Sequence, residues 1–380
     1  SGTEALVVVE GAAGAGKTAT LAAAQHALRA QRRRMLVVSP TLKGAKVAAG
    51  QTGAVAHSVA WLLHQYGYRW DDHGHWLHVE SRPHPSARLR RSDLLVVDEA
   101  GMLDQDSSVA LMQVADAIGA RLALVGDRHQ LPAVGRGGVL DLACRYAPAR
   151  LVDLDGVRRF TDPTYADLTL QMRAGKNPGS VFDQLLARGQ IILHTSEVEQ
   201  IAALAEIATG SDPGTAVVVD TREQVSRVNG LARAHRQTGR AGEFVTRAGD
   251  RIAVGDLVAT RRNDPDADVA NRETWTIHAW DRKGVIVQGA VGRRRLAWAY
   301  VREHVELAYA TTTYGVQGET ISAAHVAMGT HTSAKSAYVG MSRGRDDNLA
   351  HLVADCVKDA RSQWVEIFTR DRADLGPAHA

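Results

Sequence analysis

Short apolar runs separated by longer stretches of mixed polarity set the rhythm of the first 155 residues: Leu6 to Val9, Met35 to Val38, Leu94 to Val97, Leu122 to Val125 and Leu151 to Leu154. Continuous apolar runs of this length predict strands buried on both faces, hence a parallel sheet covered by helices. A first helix is expected over about Thr18 to Ala30. The rhythm returns further on, with strands expected at Ile191 to Leu193, Val217 to Val219, Leu307 to Ala310, Ala324 to Met328 and Leu349 to Val353. Helices are expected near Glu197 to Thr209, Arg222 to His235 and Ser333 to Met341. Two stretches break the pattern. Tyr66 to Ser92, rich in His, Trp, Pro and Arg, reads as an insertion; Gly242 to Glu306, with short alternating strands and turn signals, reads as a small inserted β-barrel. The fold class is therefore α/β, with one parallel-sheet lobe over 1–155, a second over 156–353 carrying the barrel at 242–306, and a C-terminal helix and tail over 354–380.

At 380 residues and 45% hydrophobic content, the chain is long enough for two or three domains with cores of their own. No run reaches the roughly 18 to 20 apolar residues of a membrane span, and the start does not read as a signal peptide. The two cysteines, Cys144 and Cys356, are far apart and offer neither a disulfide framework nor zinc spacing, so a reducing, cytoplasmic setting is expected. A net charge of +3 permits nucleic-acid binding without demanding it. Arginine clusters at 32–34, 90–91, 261–262 and 293–295 each read most simply as solvated faces. With no initiator Met, the chain is expected to begin inside a larger protein.

Directly after the first apolar run comes Gly11-Ala-Ala-Gly14-Ala15-Gly16-Lys17-Thr18, a phosphate-binding loop. Small residues let successive backbone N–H groups close around a phosphate, Lys17 reaches the β and γ oxygens, and Thr18 holds Mg²⁺. The positive end of the following helix dipole points at the same place. Leu94-Leu-Val-Val-Asp98-Glu99 sets two carboxylates at the end of a buried strand, where ligands of α/β sheets bind. Asp98 is the expected metal residue and Glu99 the base that orients attacking water; the plainer alternative is that both cap the next helix. In the strand-and-loop segment Gly126-Asp127-Arg-His-Gln130-Leu-Pro132, Gln130 is a candidate γ-phosphate sensor, because an amide donates and accepts at once, with Asp127 anchoring the loop.

Taken in order, these motifs, Val37-Val-Ser-Pro-Thr41, Val157-Arg-Arg159-Phe160, Tyr309 to Thr320 (Tyr-Ala-Thr-Thr-Thr-Tyr-Gly-Val-Gln-Gly-Glu-Thr) and Tyr338-Val-Gly-Met-Ser-Arg343 resemble the ordered set of superfamily 1 DNA helicases. Within it the chain is most similar to the RecD-like branch, and to the helicase part of conjugative relaxases of the TraA and TraI kind; Thr260-Arg-Arg-Asn-Asp264 tips the balance toward the relaxases. The resemblance implies two RecA-like lobes that bind ATP, with Arg343 as an arginine finger and Arg159, beside the equally placed Arg158, as a second phosphate contact. A guanidinium suits such roles because its charged fork pairs phosphate in a bidentate way. It also implies that Gln317 and Gly318 couple nucleotide to DNA, that Thr312, Thr41 and His57 contact the strand, and that the insertion is SH3-like with Arg261 and Arg262 available for phosphates. Relatives carry His where Tyr314 stands, so that ring is either a stacking platform for a base or part of the core. His57 has the alternative of an ordinary hydrogen-bonded histidine. Relatives often have Asn-Gly where this chain has Asn271-Arg272-Glu273, so the turn must differ or carry strain.

The function implied is an ATP- and Mg²⁺-dependent, 5′-to-3′ single-stranded DNA translocase and helicase. It would act on a strand or a tailed duplex as a monomer, joined to an upstream relaxase domain. Polarity comes from the resemblance alone. A RecD-like recombination or repair helicase, a non-hydrolysing DNA-binding module and a P-loop small-molecule kinase are the alternatives; the intact Lys17, Asp98, Glu99, Gln130 and Arg343 argue against the second, and the length and second motif-bearing lobe against the third. Relatives place a glutamine-bearing adenine-recognition segment ahead of the loop, and only ten residues precede Gly11 here, so weaker and less selective ATP binding is expected.

Overall fold

A computed structural model of the chain describes residues 4–70, 76–147, 151–154, 156–210, 214–236, 242–290 and 292–370. They divide into two compact units after Ala166. The first is built on six strands in the order Val55–Ser58, Met35–Ser39, Leu94–Val97, Arg121–Gly126, Leu6–Gly11, Leu151–Leu154, with every neighbouring pair parallel. The apolar runs alternate their side chains between two cores. Val8, Leu36, Val38, Leu95, Val97 and Leu124 enter one; Met35, Val37, Val96, Ala123 and Val125 enter the other. A strand that is apolar at every position has this consequence, because successive side chains point to opposite faces and both must be covered.

The five strands expected in this unit form where the apolar runs lie, and the first helix spans Lys17–Ala30. The edge strand Val55–Ser58 lacks an apolar run, since only Val55 and Ala56 are apolar and none of its residues is fully buried. In the stretch read as an insertion, Tyr68–Trp70 and Trp76–His78 pair as an antiparallel ribbon. Tyr66 ties that region down: its hydroxyl donates to Ala87 O at 3.2 Å and accepts from Leu89 N at 2.8 Å.

The second unit holds a parallel sheet in the order Ala310–Thr312, Thr215–Val219, Ile321–Met328, Gly344–Val353, Ile191–His194. Between its elements lies an antiparallel sheet in the order Gly292–Leu296, Gly284–Gly289, Thr274–Asp281, Leu257–Thr260, Val305–Leu307. Trp275 and Ile277 point inward from the longest of these strands while Thr274, Thr276 and His278 face solvent, the alternation of a sheet wet on one side. Gly289 is needed here, because a Cβ on it would stand 2.6 Å from the Trp275 ring.

One expected strand is corrected. Leu307 to Ala310 is two strands in two sheets, Val305–Leu307 antiparallel and Ala310–Thr312 parallel. Asn229 holds the crossing point, donating to Leu307 O and accepting from Ala310 N, each at 2.8 Å. Below it Asp256, fully buried, pairs with Arg233 at 2.7 Å and accepts from the Tyr309 hydroxyl at 2.8 Å. The terminal helix Val357–Arg370 belongs to this unit, its buried Trp364 packed 6.2 Å from the Phe182 ring.

Candidate nucleotide site and motif positions

The phosphate-binding loop sits at the carboxyl end of Leu6–Gly11, in the interior of the first sheet. Gly14 and Gly16 take φ of +79° and +87°, which L side chains adopt poorly, so glycine is required at both. Lys17 opens the helix and folds its ammonium back on the loop, donating to Gly11 O at 2.7 Å and Ala12 O at 3.1 Å. Burial pulls its pKa down; Asp127, Glu99 and Asp98 oppose this, and Arg159 adds to it. Lys17 therefore faces three carboxylates from two other strands and one guanidinium, the arrangement expected where a polyanion is held.

Asp98 follows the strand Leu94–Val97 and is partly buried. Its carboxyl is pushed well above the usual range by burial and by neighbouring Glu99, against the opposing pull of the Glu99 N–H, which donates to Asp98 Oδ1 at 3.0 Å, and of Lys17. Glu99 has φ +56°, a left-handed backbone that costs a non-glycine residue of order 1 kcal/mol. The turn is locked from outside: a Cβ on Gly126 would meet Ala100 N and Gly101 N at 3.1 Å. Close backbone packing thus fixes the direction of both carboxylates. Asp127 anchors its loop as anticipated, accepting from His129 N at 3.1 Å and facing the Gln130 amide at 3.5 Å. Gln130 is buried.

Arg159 is brought onto the loop from outside the sheet. Arg158 N donates to Gly14 O at 2.9 Å, and a Cβ on Gly14 would stand 2.3 Å from Arg159 Cβ. The first unit thus gathers Gly11, Gly14, Ala15, Gly16, Lys17, Thr18, Asp98, Glu99 and Arg159 around one loop, with Gln130 joined to it through Asp127. A supporting cluster escaped the sequence reading: Glu10, buried just before the loop, pairs with Arg128 at 3.0 Å, and Arg128 reaches Asp141 at 3.5 Å. Cys144 donates to Glu10 Oε2 at 3.4 Å, and burial with Glu10 pushes its thiol up to about 12. The signal was an acidic residue inside an apolar strand, which must have a partner.

The other expected site residues occupy separate places. Thr41 caps the helix Leu42–Thr52, accepting from Gly44 N at 3.0 Å. His57 stacks on Trp61 at 3.9 Å, with its pKa lowered by burial and by His84. In the second unit Thr312 precedes the short helix Thr313–Val316, Tyr314 is half-buried on it, and Gln317 leads to Gly318 at φ +83°. Arg261 pairs with Glu306 at 2.7 Å, and Arg262 lies 3.4 Å from the His304 ring nitrogen. Arg343 is buried in its own unit, its Nε donating to Val339 O at 2.9 Å. The turn at Asn271-Arg272-Glu273 does carry strain, with Arg272 at φ +68°.

Residues 1–196 match the AAA domain family. A probable conjugal transfer protein TraA of Sinorhizobium fredii is 28% identical over 361 residues, covering 91% of this chain and 31% of that protein. The ATP-dependent RecD2 DNA helicase of Deinococcus radiodurans is 26% identical over 359 residues, covering 90% of this chain and 46% of its own length. The chain thus spans less than half of these curated relatives. Among solved structures, Bacteroides Pif1 bound to single-stranded DNA superposes with a TM-score of 0.61 at 17% identity, covering 91% of this chain and 88% of that one. The match over residues 1–196, more than half of its length, makes the chain a member of the AAA domain family.

Proposed function

We propose that this chain is an ATP-dependent 5′-to-3′ single-stranded DNA translocase and helicase, the motor part of a conjugative relaxase. The observation that carries the reading is the convergence of Asp127, Glu99, Asp98 and Arg159 on Lys17 at the carboxyl ends of parallel strands. The relatives support it by name: one is an ATP-dependent DNA helicase, others are conjugal transfer proteins, and the Pif1 neighbour was crystallised with ADP-AlF3 and single-stranded DNA.

ATP supplies the phosphoanhydride whose γ-phosphorus is attacked. The loop N–H groups and Lys17 hold the β and γ oxygens. A hard divalent cation such as Mg²⁺ fits the Thr18 hydroxyl and the Asp98 carboxylate, since a cation reverses the penalty that burial imposes on that carboxylate. Glu99 orients and deprotonates water, Gln130 senses the γ-phosphate, and Arg159 neutralises charge as it develops. Arg343 is the arginine finger in this reading, its charged fork suited to bidentate pairing with phosphate. Gln317 and Gly318 couple nucleotide to DNA, with Gly318 at φ +83° allowing the backbone turn after Gln317. Thr41, His57, Thr312, Tyr314 and Gln317 hold the DNA strand, with Arg261 and Arg262 on the antiparallel insertion, the counterpart of an SH3-like barrel, adding phosphate contacts. The motor works as a cytoplasmic monomer joined to an upstream relaxase domain.

The test is ATP hydrolysis with and without single-stranded DNA, for wild type and Lys17→Ala, followed by unwinding of tailed duplexes. Stimulation by DNA in wild type alone, with opening of 5′-tailed duplex, is expected. A rate indifferent to DNA refutes the motor, and opening of only the 3′-tailed duplex refutes the polarity.

A further inference from the structure

Among the described residues Arg272 is one of several non-glycine residues with positive φ, beside Arg32, Asn177 and Asp268, whose strain none of the motifs explains. It stands in the turn after Ala270 of the antiparallel insertion, with its backbone in the left-handed region. The surrounding hydrogen bonds over-determine that conformation. Its own N–H donates to Thr260 O at 2.6 Å. The Thr260 hydroxyl donates to Ala270 O at 2.6 Å, Ala270 N donates to Glu273 Oε2 at 2.6 Å, and Asn271 N donates to Asn263 Oδ1 at 2.8 Å. A turn held this firmly against its preferred torsions commonly serves to aim a side chain.

The aim is specific. Arg272 Nη1 donates to Tyr314 O at 2.7 Å, and the guanidinium lies 6.0 Å from the centre of the Tyr314 ring. One side chain thus engages both the main chain and the ring of the residue between Thr312 and Gln317. Arg272 is half-buried; burial, and then Arg261 and Arg222, disfavour its charge, and Tyr314 favours it. A cation kept close to two others, in a turn that strains its backbone, is poorly explained by stability alone.

We propose that Arg272 is the positioning residue through which the antiparallel insertion sets Tyr314 as a stacking platform for a base of single-stranded DNA. The inference rests on the DNA-motor reading above and adds the ligand of Tyr314 and the means by which the insertion governs it. Arg272 acts through the ring, so its loss weakens engagement of the strand with little effect on hydrolysis once DNA saturates the protein. Base stacking on an aromatic ring is sequence-tolerant, which suits a translocase.

The experiment measures ATPase rate against single-stranded oligonucleotide concentration for wild type, Arg272→Gly, Arg272→Lys, Tyr314→Ala and the Arg272→Gly/Tyr314→Ala double variant, each checked for thermal unfolding. Glycine relieves the left-handed torsion, so Arg272→Gly removes the side chain without adding strain. Expected is a rise of about tenfold in the DNA concentration giving half-maximal stimulation, with the saturated rate within about twofold of wild type. Arg272→Lys should behave like Arg272→Gly, because an ammonium lacks the planar fork that bonds a carbonyl while lying against a ring. The double variant should be no worse than Tyr314→Ala. An unchanged activation constant in Arg272→Gly overturns the inference. So do additive effects in the double variant, or rescue by lysine with a salt slope about 0.7 shallower in Arg272→Gly, which would make Arg272 itself a phosphate ligand. Wild type without DNA stimulation sinks the motor reading and this inference together; stimulated wild type with an unaltered Arg272→Gly sinks this inference alone.

Discussion

Acid should destabilise the second unit through a row of three histidines. His351 Nδ1 lies 2.9 Å from His194 Nε2, and His351 Nε2 lies 2.9 Å from His325 Nδ1. Each contact needs one donor and one acceptor, so a neutral His351 must donate to one neighbour and accept from the other. Protonating it puts N–H against N–H on one side and places a charge in a site that is 1% exposed. Burial, then His325, then His194 push its pKa down to about 3. His194 and His325 are lowered too by burial, against the opposing pull of Glu199 and Asp347 respectively. The folded pKa lies below the unfolded value of about 6.5, so the stabilisation is present above that value and is lost as pH falls toward 3. At 1.36 kcal/mol per pH unit, His351 alone costs about 2 kcal/mol between about pH 7.5 and pH 5. The assay is urea unfolding at those two pH values, followed by hydrogen exchange on the peptide 344–353 so that the second unit is monitored by itself. His351→Asn should start less stable at pH 7.5 and lose about 2 kcal/mol less on acidification. Equal losses in the two proteins would refute the argument.

Three other outcomes follow from the geometry. Asp256→Asn removes the charge that pairs with buried Arg233 and should destabilise the second unit by about 3 kcal/mol, seen as a lower urea midpoint for peptides of that unit; an unshifted midpoint would show the pair to be dispensable. Gly14→Ala places a methyl 2.3 Å from Arg159 Cβ at φ +79°, and titration with a fluorescent nucleotide should show affinity reduced by about tenfold or more. Wild-type affinity would mean that the loop is free to rearrange. Glu99→Gln keeps the size and backbone of the residue but not its basicity. Hydrolysis should fall about 10² to 10⁴-fold with nucleotide still bound, whereas a fall of less than about tenfold would assign the water to another group.

Much of the molecule can be read from local pattern. Strands apolar at every position had to be covered on both sides, which determined the parallel sheets and their helices. Glycines at 14 and 16, with Lys17 at the head of a helix, determined a phosphate cradle, because no other residue tolerates those torsions so cheaply. The edge strand Val55–Ser58 escaped because its half-exposed residues have no apolar run, and Leu307 to Ala310 misled because one apolar run serves two sheets.

Local pattern, then, encodes the class of fold and marks the candidate residues for nucleotide chemistry, each over a few neighbouring positions. Tertiary structure alone decided which distant groups meet: Arg159 on Gly14, Arg128 on Glu10, Arg272 on Tyr314, and three histidines in one row across the strands Ile191–His194, Gly344–Val353 and Ile321–Met328. The histidine row depends on register, in which Val353 pairs with His194 and Leu349 with His325, leaving His351 between them on the same face. Register across three strands is a property of the assembled sheet, and no local pattern of hydrophobicity carries it.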